Sequence, residues 1–411
     1  MYNTIFYTII GILLFGYCLE RFLAYLNSTK WSNKLPEELS GIYDAEKYQK
    51  SQDYEKVNHK FALVTSSFSM IVMLFMFFAG GFAVVDEYIR NFIEHYILLP
   101  LLFFAILMFA SDIINTPFAL YDTFVIEEKF GFNKTTVKIF ILDKLKGWLL
   151  GAIIGGGLLA LIIWFYYKTT SMFWIYAWIV ASAFSIFMVM FYSTLIVPLF
   201  NKQTPLEEGS LRNAIQDFCK KVNFKLDNVF VIDGSKRSSK ANAYFSGLGP
   251  KKRIVLFDTL INDLTEEEIV SVLAHEIGHY KKRHTLWNIV FSIFQTGLTL
   301  YILSIFIGNP ILSQALNSDK PSFHLGLIAF GILYTPISII LGLGVNLYSR
   351  KNEYQADRFA SENYNGEALG SALKKLSVKN LSNLTPHPLY VFFNYSHPTL
   401  LQRLDALKLI K

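Results

Sequence analysis

Apolar residues in this chain gather into runs of about 20, the length a helix needs to cross the hydrocarbon core of a bilayer. One run, LWNIVFSIFQTGLTLYILSIFIG, carries no charged residue from Leu286 to Gly308. A chain built of such runs cannot fold as one soluble core. The 53% hydrophobic content and mean hydropathy of +0.35 arise from these runs, not from an even surplus. Seven spans are expected, roughly 4–25, 61–85, 96–121, 148–167, 173–200, 286–308 and 323–347. The first is expected to be a retained helix rather than a signal peptide. Its first charge is Glu20, and neither a basic start nor a small-residue cleavage site flanks it.

The basic residues alternate between loops. Lys30, Lys34, Lys47, Lys50, Lys56 and Lys60 lie in the first loop, and Lys129, Lys134, Lys138, Lys144 and Lys146 in the third. The second, fourth and last loops hold only Arg90, Lys168 and Lys320, respectively. By the positive-inside rule the N-terminus is outside, and the polar segment 201–283 and the tail after Arg350 are cytoplasmic. The net charge of +6 is thus read as membrane topology, and no nucleic-acid partner is expected. Cys18 and Cys219 are the only cysteines, too few for a disulfide framework or a Cys-rich zinc finger.

The polar segment ends in LTEEEIVSVLAHEIGHY. Thr265 and Glu268 have the spacing of a capping box, and Ile269, Val272, Leu273 and Ile277 form a helical stripe. On that helix His275 and His279 share a face one turn apart and can take two corners of a tetrahedral zinc. Glu276 points near the metal and can take a proton from water. The bland alternative is two helical histidines that only hydrogen-bond. Beyond the last span, Glu353 and Asp357 again share a face. Glu353 can be the third ligand and Asp357 can accept the free N–H of a ligand histidine, although Glu353 beside Arg350 and Lys351 could also be a solvated charge. His284 falls off the ligand face and is expected at the membrane interface, like His59, His95 and His324 near span ends. Asp112, Asn115 and Gln295 within spans are expected to face an interior, and Glu20 to snorkel.

The chain resembles the Ste24-type CAAX prenyl proteases, membrane zinc metallopeptidases of family M48 and gluzincin type. The resemblance rests on LPEELS, YQKSQDYEKVNHKF, PFALYDTFVIEEKFGFNKTT, VPLFNKQTPLEEGSLR, SSKANAYFSGLGPKKRIVLFDTLI and NLSNLTPHPLYVFFNYSHPTLLQRLDAL as well as HEIGH. It implies a mainly α, polytopic fold in which seven helices enclose a water-filled chamber, with a zincin-like cytoplasmic domain and a small β element. It implies one zinc ion per chain on His275, His279 and Glu353, with Glu276 as general base. Asn242 would lie near the substrate, and His397 and Arg403 would hold it and steady the tetrahedral intermediate. From the residues alone, Asn242 could be a strand-edge or turn residue and His397 a surface histidine before Pro398.

The organisation expected is 1–200 (spans one to five), 201–285 (the motif-bearing segment), 286–349 (the last two spans) and 350–411 (the tail completing the site). The function implied is removal of the last three residues from prenylated CAAX substrates by a monomer in a lipid bilayer. The alternative is clearance of membrane proteins without a prenylated substrate, in a bacterial inner membrane rather than the endoplasmic reticulum, since the tail ALKLIK lacks a dilysine signal. A receptor or transporter with structural zinc would leave Glu276 unexplained, and a shorter quality-control metalloprotease has about four spans.

Overall fold

Local sequence sets where the helices begin. Asn3, Asp44, Thr136 and Thr265 each accept a hydrogen bond from the backbone N–H three residues on. They open the helices Thr4–Ser28, Ala45–Phe78, Val137–Leu150 and Glu266–Lys281. The computed structural model describes residues 3–37, 40–225, 229–248 and 252–409, and over these the fold is mainly α with one four-stranded sheet.

By length and composition, five helical segments among the described residues can cross a membrane: Thr4–Ser28, Ala45–Phe78, Leu98–Phe130, Val137–Phe200 and His284–Phe306. A sixth is the pair Phe323–Leu333 and Thr335–Asn363, bent by 54°. The bend has a cause in Pro336, which lacks an N–H and crowds the carbonyl of Ile332. The count of six departs from the expected seven at one place. Val137–Phe200 has 64 residues, about 96 Å of helix if straight and some three times the hydrocarbon thickness. It is not straight. At the turn Thr170–Met172 the chain reverses, with Thr170 at φ 47°. Phe165 and Tyr176 stack with centroids 5.5 Å apart, where a straight helix would separate them by about 16 Å. Divided at this hairpin, the segment covers the fourth and fifth expected spans.

The second helix starts well before the expected residue 61 and stops at Gly80, whose φ of +67° suits glycine. Between 6% and 17% of the residues in the most apolar window of each of the five segments are buried. So little burial leaves most of each apolar window accessible. Asp112 pairs with Lys144 at 2.8 Å and accepts from Trp148 Nε1 at 3.1 Å, in a partly exposed contact between two helices. Asn115 is exposed and bonds back to Ser111 of its own helix. His324 is no interfacial residue, being buried with Nε2 2.7 Å from Asp86.

The polar half is built on strands β1 (Gln203–Pro205), β2 (Val229–Ile232), β3 (Ala243–Ser246) and β4 (Arg253–Phe257), in the order β1-β2-β4-β3. β4 runs parallel to β2 and antiparallel to β3, which leaves β3 at an edge. The motif helix Glu266–Lys281 packs its stripe of Ile269, Leu273 and Ile277 into one core with Ile254 and Leu256 of β4 and Leu369 of helix Gly366–Lys379. The two halves are stitched together. Arg237 forms a two-pronged ion pair with Asp143 (2.8 and 2.9 Å), and Ser239 donates its N–H to Phe132 O at 3.0 Å. Lys240 reaches Glu127 at 2.9 Å, just before Asn242 and β3.

Candidate active site

The capping box expected at Thr265 and Glu268 is present, and the helix it opens carries His275, Glu276 and His279. This helix crosses Thr335–Asn363 at Gly278. A Cβ there would lie 3.1 Å from Ala356 Cα, tighter than ordinary contact, so only a glycine admits this approach without displacement. The close crossing brings Glu353 and Asp357 onto the histidines.

Three side chains converge, Glu353 turning one carboxylate oxygen to each histidine. His275 Nε2 is 3.1 Å from His279 Nε2 and 3.4 Å from Glu353 Oε2, and His279 Nε2 is 3.3 Å from Glu353 Oε1. Zinc–ligand bonds of about 2.05 Å in a tetrahedron put neighbouring donors about 3.3 Å apart. The donor set and its spacing therefore fit a zinc ion, and among the described residues this is the group that could hold a metal. Charge agrees with geometry. Burial would lower the proton affinity of His275, but the Asp357 and Glu353 carboxylates push its pKa up to about 9. Burial raises the Glu353 carboxyl, yet hydrogen bonds from His275 and His279 hold it well below the usual carboxylate range. The site asks for a cation.

The other singled-out residues surround this cluster. Asp357 Oδ1 is 2.8 Å from His275 Nδ1. Arg403 grips Asp357 through Nε at 2.8 Å and through Nη2, and its Nη1 is 3.7 Å from Glu353 Oε2. His397 is exposed, with Nε2 3.5 Å from Glu353 Oε1. A cavity of about 470 Å³ opens over the cluster and is lined by Glu276, His397, Arg403, Asn242, Ala243 and Phe245 among others. Its wall thus includes the start of the edge strand.

Residues 25–202 match the family described as CAAX prenyl protease N-terminal, five membrane helices, and residues 205–411 match peptidase family M48. The chain belongs to peptidase family M48. It is similar to CAAX prenyl protease 1 homolog of Arabidopsis thaliana, 37% identical over 97% of this chain and 96% of that one. It is also similar to CAAX prenyl protease 1 of Saccharomyces cerevisiae, 35% identical over 97% of this chain and 94% of the other. The crystal structure of S. mikatae Ste24p superposes with a TM-score of 0.92 at 35% identity, covering 98% and 99% of the two chains. This M48 chain is a multi-pass membrane metalloendopeptidase.

The M48 site holds residues that sequence reasoning misplaced. His284 is not interfacial. It is buried, with Nδ1 3.0 Å from His279 Nδ1 and Nε2 3.0 Å from Gln355 Oε1. Arg403, expected on the substrate, spends two of its nitrogens on Asp357. The available signal for Gln355 was its place between Glu353 and Asp357.

Proposed function

We propose that this M48 chain removes the C-terminal residues of prenylated CAAX-type substrates, using one zinc ion held by His275, His279 and Glu353. The observation that carries the reading is the convergence of those three side chains, with N···N and N···O distances of 3.1–3.4 Å, at a groove bordered by an edge strand. The names of the relatives support the substrate class. A zinc ion held there would supply Lewis acidity to the scissile carbonyl and lower the pKa of the attacking water. Glu276, on the groove wall, takes the proton of that water and passes it to the leaving amine. β3 receives the substrate backbone by strand addition, with Asn242 at its start. His397 donates to the oxyanion as it develops. Arg403 holds Asp357 and offers Nη1 to the floor of the groove.

The membrane helices are proposed to enclose a chamber, so that a lipidated tail stays near the bilayer while its peptide reaches the site. The four-part organisation follows, with 286–349 as the hairpin joining the two parts of the metal site. The alternation of basic loops puts the site on the cytoplasmic side. Single cysteines at Ser210 and Ser318 should label from opposite faces of the membrane, and labelling from one face would overturn that orientation. Purified protein incubated with matched farnesylated and unmodified CAAX peptides tests the substrate. Faster release of the tripeptide from the farnesylated peptide is expected. Equal rates would favour general clearance of membrane proteins.

A further inference from the structure

The Nε2 atoms of His275 and His279 face Glu353, so a neutral ligand imidazole at either position keeps its proton on Nδ1. Each of those Nδ1 atoms has a partner. For His275 it is Asp357. For His279 it is Nδ1 of His284, 3.0 Å away, and His284 Nε2 in turn lies 3.0 Å from Gln355 Oε1. One set of proton positions satisfies all these contacts. An amide oxygen only accepts, so His284 carries its proton on Nε2. That leaves the lone pair of its Nδ1 to accept from His279.

The backbone explains how residue 284 reaches residue 279. On a continuous helix, five residues turn about 140° and would carry His284 off the ligand face. The motif helix stops at Lys281, and Arg283 takes a left-handed conformation at φ 61°. The next helix, His284–Phe306, then starts with its first side chain folded over His279 and 3% exposed. Gln355 comes from the helix that also supplies Glu353 and Asp357. A single helix thereby provides the third donor, the partner of His275 and the support of the His279 partner.

We infer that His284, held by Gln355, is the positioning residue that fixes the tautomer and ring orientation of His279 toward the metal. The inference rests on the reading of His275, His279 and Glu353 as the zinc site. His284 touches neither metal nor substrate, and acts through His279. Such partners typically account for about 10–100-fold in metal affinity.

The experiment measures zinc affinity of the full-length protein in detergent by competition with a chromophoric chelator, and records the visible spectrum of the cobalt(II)-substituted protein. His284→Ala and Gln355→Leu should each lower zinc affinity, by about 10–100-fold for His284→Ala. Both should shift the cobalt bands, because the ring of His279 is released. Gln355→Glu keeps an accepting oxygen for His284 and should restore wild-type affinity and bands, which a role in folding alone would not predict. If His284→Ala does not fold, Gln355→Leu decides the matter. Wild-type affinity and an unshifted cobalt spectrum in a folded variant overturn the inference. Glu353→Ala is the control on the underlying reading. If wild type and Glu353→Ala bind zinc alike, the zinc site itself is misassigned. If Glu353→Ala loses zinc while the His284 and Gln355 variants bind normally, only the role of His284 falls.

Discussion

His275 and His279 leave one helix a single turn apart and meet the same glutamate, but what stands behind them differs. Behind His275 is a buried carboxylate, Asp357, gripped in turn by the Arg403 guanidinium. Behind His279 is an uncharged chain of His284 and Gln355. A charged partner makes its histidine more basic and draws cations, at the expense of a buried charge that must stay paired. A neutral partner fixes geometry with little field. On the proposed reading, the metal site would separate attraction, on the His275 side, from orientation, on the His279 side.

The largest expected effect comes from a change that leaves both sides intact. Glu276→Gln should retain zinc and lose cleavage by up to about 10,000-fold, since the residue moves protons without binding metal. Metal analysis and a peptide assay on one preparation check it, and full activity in the loaded variant would remove Glu276 from the mechanism. Next is His397→Ala, expected to lower kcat about 100–1,000-fold with KM nearly unchanged. Loss of zinc in this variant would add His397 to the metal donors, and normal turnover would make it a surface residue.

Asp357→Ala set beside His284→Ala tests the difference between the two partners. Both should weaken zinc by about 10–100-fold. Only Asp357→Ala removes the two-pronged partner of the Arg403 guanidinium, leaving it Glu353 at 3.7 Å, so it should also destabilise the fold by about 3–5 kcal/mol. Losing the neutral partner should lower stability by only about 1–3 kcal/mol. Equal losses in chemical unfolding would erase the distinction.

The effect of pH is graded. Metal-free His275 holds a proton up to about pH 9, and zinc must displace it. Apparent zinc affinity should rise about tenfold per pH unit from neutrality and level off above about pH 9. The metal-free fold shows the opposite trend. Because the folded pKa of His275 is raised, its stabilisation is complete below about pH 6.5 and is lost as pH climbs through about 9. A flat titration of zinc affinity would contradict the charged character of the His275 side.

What was legible in the sequence was local. The apolar runs, the capping box at Thr265 and the four-residue pairs His275/His279 and Glu353/Asp357 need only helical periodicity, and the structure brings both pairs together. His284 was lost because the helix phase was carried across Arg283, where the chain leaves the helix. The grip of Arg403 on Asp357, a contact across 46 residues, leaves no local trace in HPTLLQR. Gly278 inside HEIGH was visible, but its use depends on a second helix passing over it. The 54° break in the last span had a local cause in Pro336 that the hydropathy of its surroundings masked.

The two histidines are translated before the last two spans, and Glu353 after them. A ribosome that has made HEIGH has therefore not yet made a hydrolase. The third donor arrives on the same face of the bilayer only once His284–Phe306 and the bent pair ending in Thr335–Asn363 have both been threaded through. A chain in which only one of these two spans crosses would strand Glu353 across the membrane from His275. With Glu353 as the proposed third donor, correct insertion of both spans is a precondition for catalysis. Chains arrested before residue 353 should bind zinc no better than the Glu353→Ala protein.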